Sequence, residues 1–98
     1  MQLSGKHRRF LRALGHHLKP SLSVGKQGVT PELIQQFEQC LLAHELVKVK
    51  VLEACSHPRS EVGSSLAEAS AGAVAQILGR ILLIYRPHPE EPRIKLPE

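Results

Sequence analysis

The residues best suited to chemistry lie in one short segment, Val24–Pro31, which reads Val-Gly-Lys-Gln-Gly-Val-Thr-Pro. Two glycines three positions apart let a backbone adopt positive φ and approach another molecule closely. Thr30 followed by Pro31 is a strong start signal for a helix, because threonine caps the first turn and proline fits its first position. A helix N-terminus favours an anion, and Lys26 stands beside it. The segment therefore predicts a cradle for a phosphate group.

The spacing of the two glycines excludes the common nucleotide-binding loops. A P-loop has four residues between its glycines and continues Gly-Lys-Ser/Thr, and a dinucleotide fingerprint has a third glycine and a later ribose-binding acid. Neither pattern occurs in this chain. A Gly-x-x-Gly loop that clamps a nucleotide backbone is the device of KH-type RNA-binding domains. The same spacing is also typical of an ordinary strand-to-helix turn, so the motif alone leaves both interpretations open.

The positive charge of the chain is concentrated around this loop. The formal net charge is +4, from 13 basic and 9 acidic residues. Six of the basic residues precede the first acidic residue, Glu32: Lys6, Arg8, Arg9, Arg12, Lys19 and Lys26. Such clustering is the electrostatic footprint of a polyanion binder. A solvated charged face is the alternative, and the position of the cluster next to the glycine loop favours polyanion binding.

The cysteines, histidines and glutamates suggest no second site. Cys40 and His44 are four residues apart on a predicted helix, and Cys55 and His57 follow, but this spacing matches no common zinc pattern. A small buried cysteine is the simpler interpretation of Cys40. A Cys–His nucleophile pair needs a third, orienting group, and the chain has no aspartate. All nine acidic residues are glutamates on predicted surfaces or in the C-terminal segment. We expect no catalytic residue, metal site or cofactor, and hence no enzyme.

Length and composition describe one domain. Ninety-eight residues with 42% hydrophobic content build a modest core, and only three aromatic residues leave aliphatic side chains to fill it. No apolar run approaches the roughly 20 residues needed to span a bilayer. The N-terminus has no apolar region of the kind found in secretory signals. Two cysteines make no disulfide framework, so we expect a reduced, cytoplasmic setting.

Periodicity predicts the elements that position the loop, beginning with a helix over residues 4–17, with Ser4 as its N-cap. An inward stripe comprises His7, Phe10, Leu11, Leu14 and Leu18. The opposite, basic side carries Arg8, Arg9, Arg12 and His16.

A strand over 21–24 then leads into the glycine loop, and a second helix follows over 31–44. Its inward residues are predicted to be Leu33, Ile34, Phe37, Leu41 and, near the apolar side, Cys40. The segment 46–52 is the clearest strand, since three valines alternate with Lys48 and Lys50 at a period of two.

The C-terminal half predicts a third helix over 61–71 ending at Gly72, then strands over 73–78 and 81–86 joined at Gly79-Arg80. The predicted fold is α/β, in the order α-β-α-β-α-β-β, with helices packed on a four-stranded mixed sheet. Residues 1–87 form the domain. Residues 88–98 form a proline-rich tail that we expect to be extended or partly disordered.

Several segments, in order along nearly the whole chain, resemble one known family. They are Leu3-Ser4, Leu18-Lys19-Pro20, the loop 24–30, residues 44–50, Ile77-Leu78-Gly79-Arg80 and Leu83-Ile84-Tyr85-Arg86-Pro87. This arrangement resembles the CRM domain (chloroplast RNA splicing and ribosome maturation), and in particular its free-standing bacterial form, the YhbY-type RNA-binding proteins. The segment 53–70 matches the pattern least. The resemblance implies a fold similar to the C-terminal domain of bacterial translation initiation factor three.

The resemblance also implies binding to ribosomal RNA in precursors of the large ribosomal subunit during assembly. Separately, we expect a monomer with neither a membrane nor a small molecule as partner. Lys26 would meet a phosphate, and Gln27 would touch sugar or base. The full set of expected RNA-binding residues is Gly25, Lys26, Gln27, Gly28, Thr30, Lys6, Arg8, Arg9, Arg12, Lys19, Lys48, Lys50 and Arg80. The alternative is a protein-interaction adaptor that docks an acidic partner on the ribosome.

Overall fold

The computed structural model describes residues 1–98 and contains the seven predicted elements in the predicted order. They are α1 (Gly5–Gly15), β1 (Pro20–Val24), α2 (Pro31–His44), β2 (Leu46–Val51), α3 (Arg59–Ser70), β3 (Ala73–Leu78) and β4 (Ile81–Tyr85). None of the three helices is long and apolar enough to cross a lipid bilayer.

The four strands form one mixed sheet in the order β1-β2-β4-β3, which confirms the predicted fold class. Strands β1 and β2 are parallel and are connected through α2, whereas β4 runs antiparallel to both β2 and β3. One face of the sheet packs against α2 and α3 through a core that includes Phe37 and Leu66. The other face packs against α1 through Leu11. Since strand side chains alternate, the valines of β2 lie under α2 and α3, and its lysines lie on the α1 side.

Two capping interactions fix where the first helices begin. Ser4 Oγ accepts the backbone N–H of His7 at 3.1 Å, and His7 Nδ1 accepts that of Ser4 at 3.5 Å, which completes a capping box at α1. Thr30 Oγ1 accepts the N–H of Leu33 at 3.1 Å, with Pro31 at the first helical position of α2. Both predicted helix starts are therefore confirmed.

Helix α3 departs from the prediction at both ends. It begins at Arg59, two residues earlier than predicted, and the left-handed residue that ends it is Ala71, with φ +58°, rather than Gly72. Gly72 is instead required by space, because a Cβ there would lie 3.0 Å from the carbonyl oxygen of Tyr85.

The inward stripe predicted for α1 is only partly correct. Leu11 is buried, but Leu14 and Leu18 are 45% and 40% exposed. Helix α1 ends at Gly15, where a Cβ would lie 2.9 Å from Leu83 Cδ1, so the backbone is too close to the sheet there for a larger side chain. Leu18 lies beyond the helix, where a spacing of 100° per residue no longer applies. The two leucines instead border an open groove beside β1.

The prediction that every glutamate lies on the surface or in the tail is wrong for Glu45. Its side chain is fully buried, at the junction of α2 and β2, and its φ is +64°. Glu45 Oε2 accepts the backbone N–H of His88 at 2.7 Å, and Oε1 accepts those of Arg93 and Ile94, each at 2.9 Å. Residues 88–98 contain no helix or strand, but this carboxylate anchors them to the domain.

The hydrogen bonds keep Glu45 ionised. Burial alone raises the pKa of the Glu45 carboxyl, but the three backbone donors and the nearby guanidinium of Arg93 outweigh burial and hold the pKa below its ordinary value of 4.5. The tail is therefore attached through a charge that is present at neutral pH. The pKa of the neighbouring Tyr85 is raised above 10.0, first by burial and then by the negative charge of Glu45.

Replacing this carboxylate with an amide tests the attachment. The pKa of the Glu45 carboxyl is lower in the folded than in the unfolded protein. The ionised carboxylate therefore stabilises the fold above about pH 4.5, and this contribution is lost as pH falls through the folded pKa. Glu45→Gln should lower the free energy of unfolding at pH 7 by about 2–3 kcal/mol, since the amide nitrogen opposes a backbone donor. Urea denaturation from pH 7 to pH 3 should show the difference between wild type and variant shrinking on acidification.

The exposed tail residue Glu90 provides the control, because its side chain makes no hydrogen bond or ion pair in the structure. Glu90→Gln should change the free energy of unfolding by less than about 0.5 kcal/mol at every pH. A constant difference between wild type and Glu45→Gln across this pH range would contradict an ionised, stabilising Glu45.

Candidate nucleic-acid interface

Three loops meet at one end of the sheet, which we call the loop end. They are the turn Gly25–Gly28 after β1, residues 52–58 after β2, and the hairpin Gly79-Arg80 between β3 and β4. The parallel pairing of β1 and β2 brings their carboxyl ends together. The hairpin joins them because β4 is antiparallel to β2, and the N–H of Val51 donates to the carbonyl oxygen of Arg80 at 2.7 Å. The topology, rather than any local motif, assembles this surface.

The turn presents Lys26 and Gln27 to solvent. The N–H of Gly28 donates to the carbonyl oxygen of Gly25 at 3.0 Å and closes the turn, with the two exposed side chains at its tip. Gly28 has φ +70°, a conformation that side chains disfavour. Gly25 has no such φ, and a Cβ there would meet Leu52 Cδ1 at an ordinary 3.7 Å. The fold thus requires glycine at 28 but not at 25, where the absent side chain leaves open surface next to Lys26.

The start of α2 contributes less to an anion site than its sequence predicts. Pro31 has no N–H, and the N–H groups of Leu33 and Ile34 are occupied by the side chain and carbonyl oxygens of Thr30. Glu32 adds a negative charge to the first turn. The structure gives Thr30 a capping role at this helix start.

Two of the predicted basic residues join the turn at the loop end. Lys50 is exposed and pairs across the sheet with Ile81, the residue after Arg80. Arg80 Nη2 lies 3.8 Å from Glu53 Oε1 in a solvent-exposed pair, which screens the arginine only weakly. Lys48 is half-buried and lies two residues farther from the turn on the same strand.

The remaining predicted residues lie elsewhere. Arg8, Arg9 and Arg12 are exposed on α1, which covers the sheet face opposite α2 and α3. Lys6 Nζ donates to the backbone oxygen of Glu98, and Arg8 Nη1 donates to that of Leu3 at 2.7 Å. These residues form a second basic surface, which we call the α1 surface. Lys19 is exposed beside the groove that Leu14 and Leu18 border.

The cysteines and histidines do not gather into a metal site. No group of three or more histidine, cysteine, aspartate or glutamate side chains could hold a metal ion. Cys40 and Cys55 are half-buried and pack against the core beneath α2 and α3. Cys55 Sγ donates to the carbonyl oxygen of His57 at 3.6 Å, so it orders the loop after β2.

His57, considered above only as a metal ligand, and Arg59 were not among the predicted RNA-binding residues, yet both lie at the loop end. His57 contacts the turn, since its Cδ2 is 3.1 Å from the position a Cβ on Gly28 would occupy. Arg59 begins α3 and faces the hairpin across a cleft. The predicted order strand-helix-strand for β1, α2 and β2 is the sequence signal that favours a parallel pair, and a parallel pair brings these loops to one end of the sheet.

The two glycines of the turn should respond differently to substitution. Gly28→Ala places a Cβ at positive φ and against His57, and should lower the free energy of unfolding by about 1–2 kcal/mol. Gly25→Ala should change it by less than about 0.5 kcal/mol, because the backbone and the space already suit alanine. Urea denaturation of both variants measures the difference. Equal destabilisation by the two substitutions would contradict this assignment of roles.

Comparison with known proteins agrees with this architecture. Residues 3–86 match the model of the CRS1 / YhbY (CRM) domain. The chain is 39% identical to "Probable RNA-binding protein YqeI" of Bacillus subtilis over 97% of this chain and 99% of that protein. It is 38% identical to a protein of Haemophilus influenzae named "RNA-binding protein", over 97% of this chain and 95% of that protein.

A solved structure has the same fold. It is the "Solution structure of the hypothetical protein SAV1595 from Staphylococcus aureus, a putative RNA binding protein", with a TM-score of 0.82 and 35% sequence identity over 98% of this chain and 100% of that chain. The family match extends from the start of α1 to the end of β4, so it includes the turn, the sheet and all three helices. The chain therefore belongs to the CRS1/YhbY (CRM) domain family.

Proposed function

We propose that this protein binds RNA without catalysing a reaction, and that the Gly25–Gly28 turn holds the ribose-phosphate backbone. The observation that carries the proposal is the contrast between the two glycines. Glycine at 25 has no structural necessity, yet it leaves open backbone beside the exposed Lys26. Relatives named as RNA-binding proteins support RNA as the ligand.

Recognition at the turn and on α1 should depend on backbone and shape. Base-stacking sheets present exposed aromatic side chains. Here Phe37 and Tyr85 are buried and Phe10 is half-buried, so no phenylalanine or tyrosine forms an open platform. The cationic side chains Lys26, Lys50 and Arg80 instead suit phosphates, which carry no sequence information themselves.

We further propose ribosomal RNA in precursors of the large subunit as the target, bound during assembly in the cytoplasm by a monomer. The resemblance to ribosome-maturation domains supports this target. Cross-linking the protein to RNA in cells and sequencing the attached RNA tests it. Enrichment of large-subunit ribosomal RNA, with precursor sequences present, is expected. Enrichment of messenger or transfer RNA alone would refute the ribosomal target while leaving RNA binding intact.

A protein-docking function is the second candidate. The groove between the end of α1 and β1 has a volume of about 390 Å³ and includes the exposed Leu14 and Leu18, with Lys19, His44 and Lys48 around it. An acidic partner with apolar side chains would match it. If the groove carries the function, association with assembling ribosomal particles should survive nuclease treatment and be lost in Leu14→Ser. RNA binding by the turn instead predicts that the association is lost after nuclease treatment and is retained in Leu14→Ser.

Reversing the charge of the turn tests the RNA site directly. Lys26 and Gln27 are exposed and make no hydrogen bond with the rest of the protein, so Lys26→Asp/Gln27→Asp should leave the melting temperature within about 2 °C of wild type. The same variant should reduce affinity for structured ribosomal RNA at least 30-fold, as judged by filter binding or fluorescence anisotropy.

The matched control is Gln2→Asp/Lys95→Asp, which changes the net charge equally at two exposed sites outside the turn. It should weaken binding less than about threefold. Gly25→Ala provides an uncharged test of the same site, with reduced RNA affinity at unchanged stability. Wild-type affinity in both turn variants would refute the proposed role of the turn.

The α1 surface should supply salt-dependent affinity. Arg9 and Arg12 are exposed and make no hydrogen bond or ion pair in the structure. Each arginine that contacts a phosphate contributes about 0.7–0.9 to the slope of log affinity against log salt concentration. Arg9→Gln/Arg12→Gln should therefore lower the magnitude of this slope by about 1.4–1.8, measured by titrations from 50 to 300 mM KCl. An unchanged slope would exclude these two arginines from the interface.

A further inference from the structure

A cleft of about 850 Å³ opens at the loop end, between the residues that precede α3 and the β3–β4 hairpin. His57, Arg59 and Ser60 line one wall, and Ile77 and Arg80 line the other. The volume falls within the range of about 300–1,000 Å³ that is typical of small-ligand pockets. The function proposed above uses the turn and Arg80 but leaves this cleft unassigned.

His57 connects the cleft to the turn. One edge of its imidazole lies against Gly28, where Cδ2 is 3.1 Å and Nε2 is 3.6 Å from the position of an added Cβ. On the ring's other side Nδ1 is 3.6 Å from Glu61 Oε2, and the carbonyl oxygen of His57 accepts from Cys55 Sγ. These contacts orient the ring, while 60% of the side chain stays exposed. His57 is thus an oriented, accessible aromatic ring directly beside the proposed backbone site.

The two arginines give the cleft a positive rim. Arg59 is exposed and makes no ion pair, and the only pairing of Arg80 is the weak, solvent-exposed one with Glu53. Glu61 is the other acidic residue nearby, and it faces His57 rather than Arg59. A guanidinium group binds phosphate oxygens and also stacks on a base, so both arginines suit a nucleotide.

We propose that this cleft binds one unpaired nucleotide of an RNA, with its base stacked on the His57 ring and its phosphate or sugar held by Arg59 and Arg80. The nucleotide is a neighbour of the one whose phosphate lies on the Gly25–Gly28 turn, because His57 touches both sites. This inference rests on the proposed RNA binding by the turn.

The chemistry favours an unpaired nucleotide over a duplex. In A-form RNA each base face is covered by the neighbouring base pair, and the deep, narrow major groove keeps side chains away from the base edges there. An unpaired base in a loop or bulge exposes its face and can stack on histidine or arginine. The protein would then combine backbone contacts at the turn with selection for an unpaired position beside them.

The test compares two RNAs and two substitutions at one position. One RNA is a hairpin whose loop carries the fluorescent base 2-aminopurine, and the other is a fully paired duplex of similar length. His57→Phe retains an aromatic ring against Gly28, whereas His57→Leu retains bulk without a ring. His17→Ala, at an exposed histidine outside the cleft, is the control.

His57→Leu should bind the hairpin about 10- to 100-fold more weakly than wild type, the loss expected for one base–aromatic stack. It should bind the duplex as wild type does. His57→Phe and His17→Ala should stay within about threefold for both RNAs. Stacking should also quench 2-aminopurine fluorescence on binding of wild type and His57→Phe, but not of His57→Leu.

Each outcome separates the two proposals. Equal weakening of hairpin and duplex by His57→Leu, or no weakening, would refute the cleft while leaving the turn in place. If wild type and Lys26→Asp/Gln27→Asp bind every RNA alike, the proposed role of the turn fails first. Denaturation curves test whether His57→Leu is folded. If it is unfolded, the fluorescence decides: complexes of wild type and His57→Phe in which 2-aminopurine is not quenched would refute base stacking in the cleft.

Discussion

The buried carboxylate of Glu45 holds together parts of the chain that are distant in sequence. The carboxylate lies at the junction of α2 and β2 and accepts the N–H groups of His88, Arg93 and Ile94. The backbone carbonyl oxygen of the same residue accepts the N–H of Arg86 after β4. A positive φ at a glutamate costs about 1–2 kcal/mol, which charge-assisted hydrogen bonds of this kind can offset. The anchored tail then packs Ile94 and Leu96 against the core beneath α1. The tail thereby adds to the packing beneath α1, which itself contacts the sheet through Leu11.

The same junction determines the loop end. Glu45 is the one residue between α2 and β2, and α2 is the connection that allows β2 to lie parallel to β1. Only a parallel pair delivers the Gly25–Gly28 turn and the loop that contains His57 to the same end of the sheet. The hairpin joins them because β4 is antiparallel to β2. A cationic surface made of loops is thereby mounted on a rigid sheet, an arrangement common among binding sites.

Features that depend on residues close in sequence, such as helix caps and strands, could be predicted. Features that depend on contacts between distant parts of the chain could not. Ser4 and Thr30 marked helix starts because a cap acts within one turn, and the valines of β2 marked a strand because alternation is local. The burial of Glu45 could not be predicted, since its partners lie more than 40 residues away in a segment without periodicity. His57 was missed for the same reason, since it meets Gly28 only after the sheet forms. Glycine adopts a left-handed conformation more readily than alanine, so the sequence favoured Gly72 as the residue that ends α3. In the structure Ala71 has that conformation, and Gly72 is needed because a carbonyl oxygen of the sheet leaves no room for a side chain.

The placement of the cations also restricts the size of the ligand. The turn lies at one end of the sheet, and the arginines of α1 lie on the face opposite α2 and α3. The domain measures 39 × 26 × 22 Å, so a ligand that contacts both surfaces must extend from one end of the sheet onto one of its faces. A free nucleotide is too small to do so, whereas a folded RNA presents phosphates over such distances. Long-range attraction by α1 would then bring the RNA to the protein, and short-range contacts at the loop end would set its register, because charge acts at a distance and close packing does not.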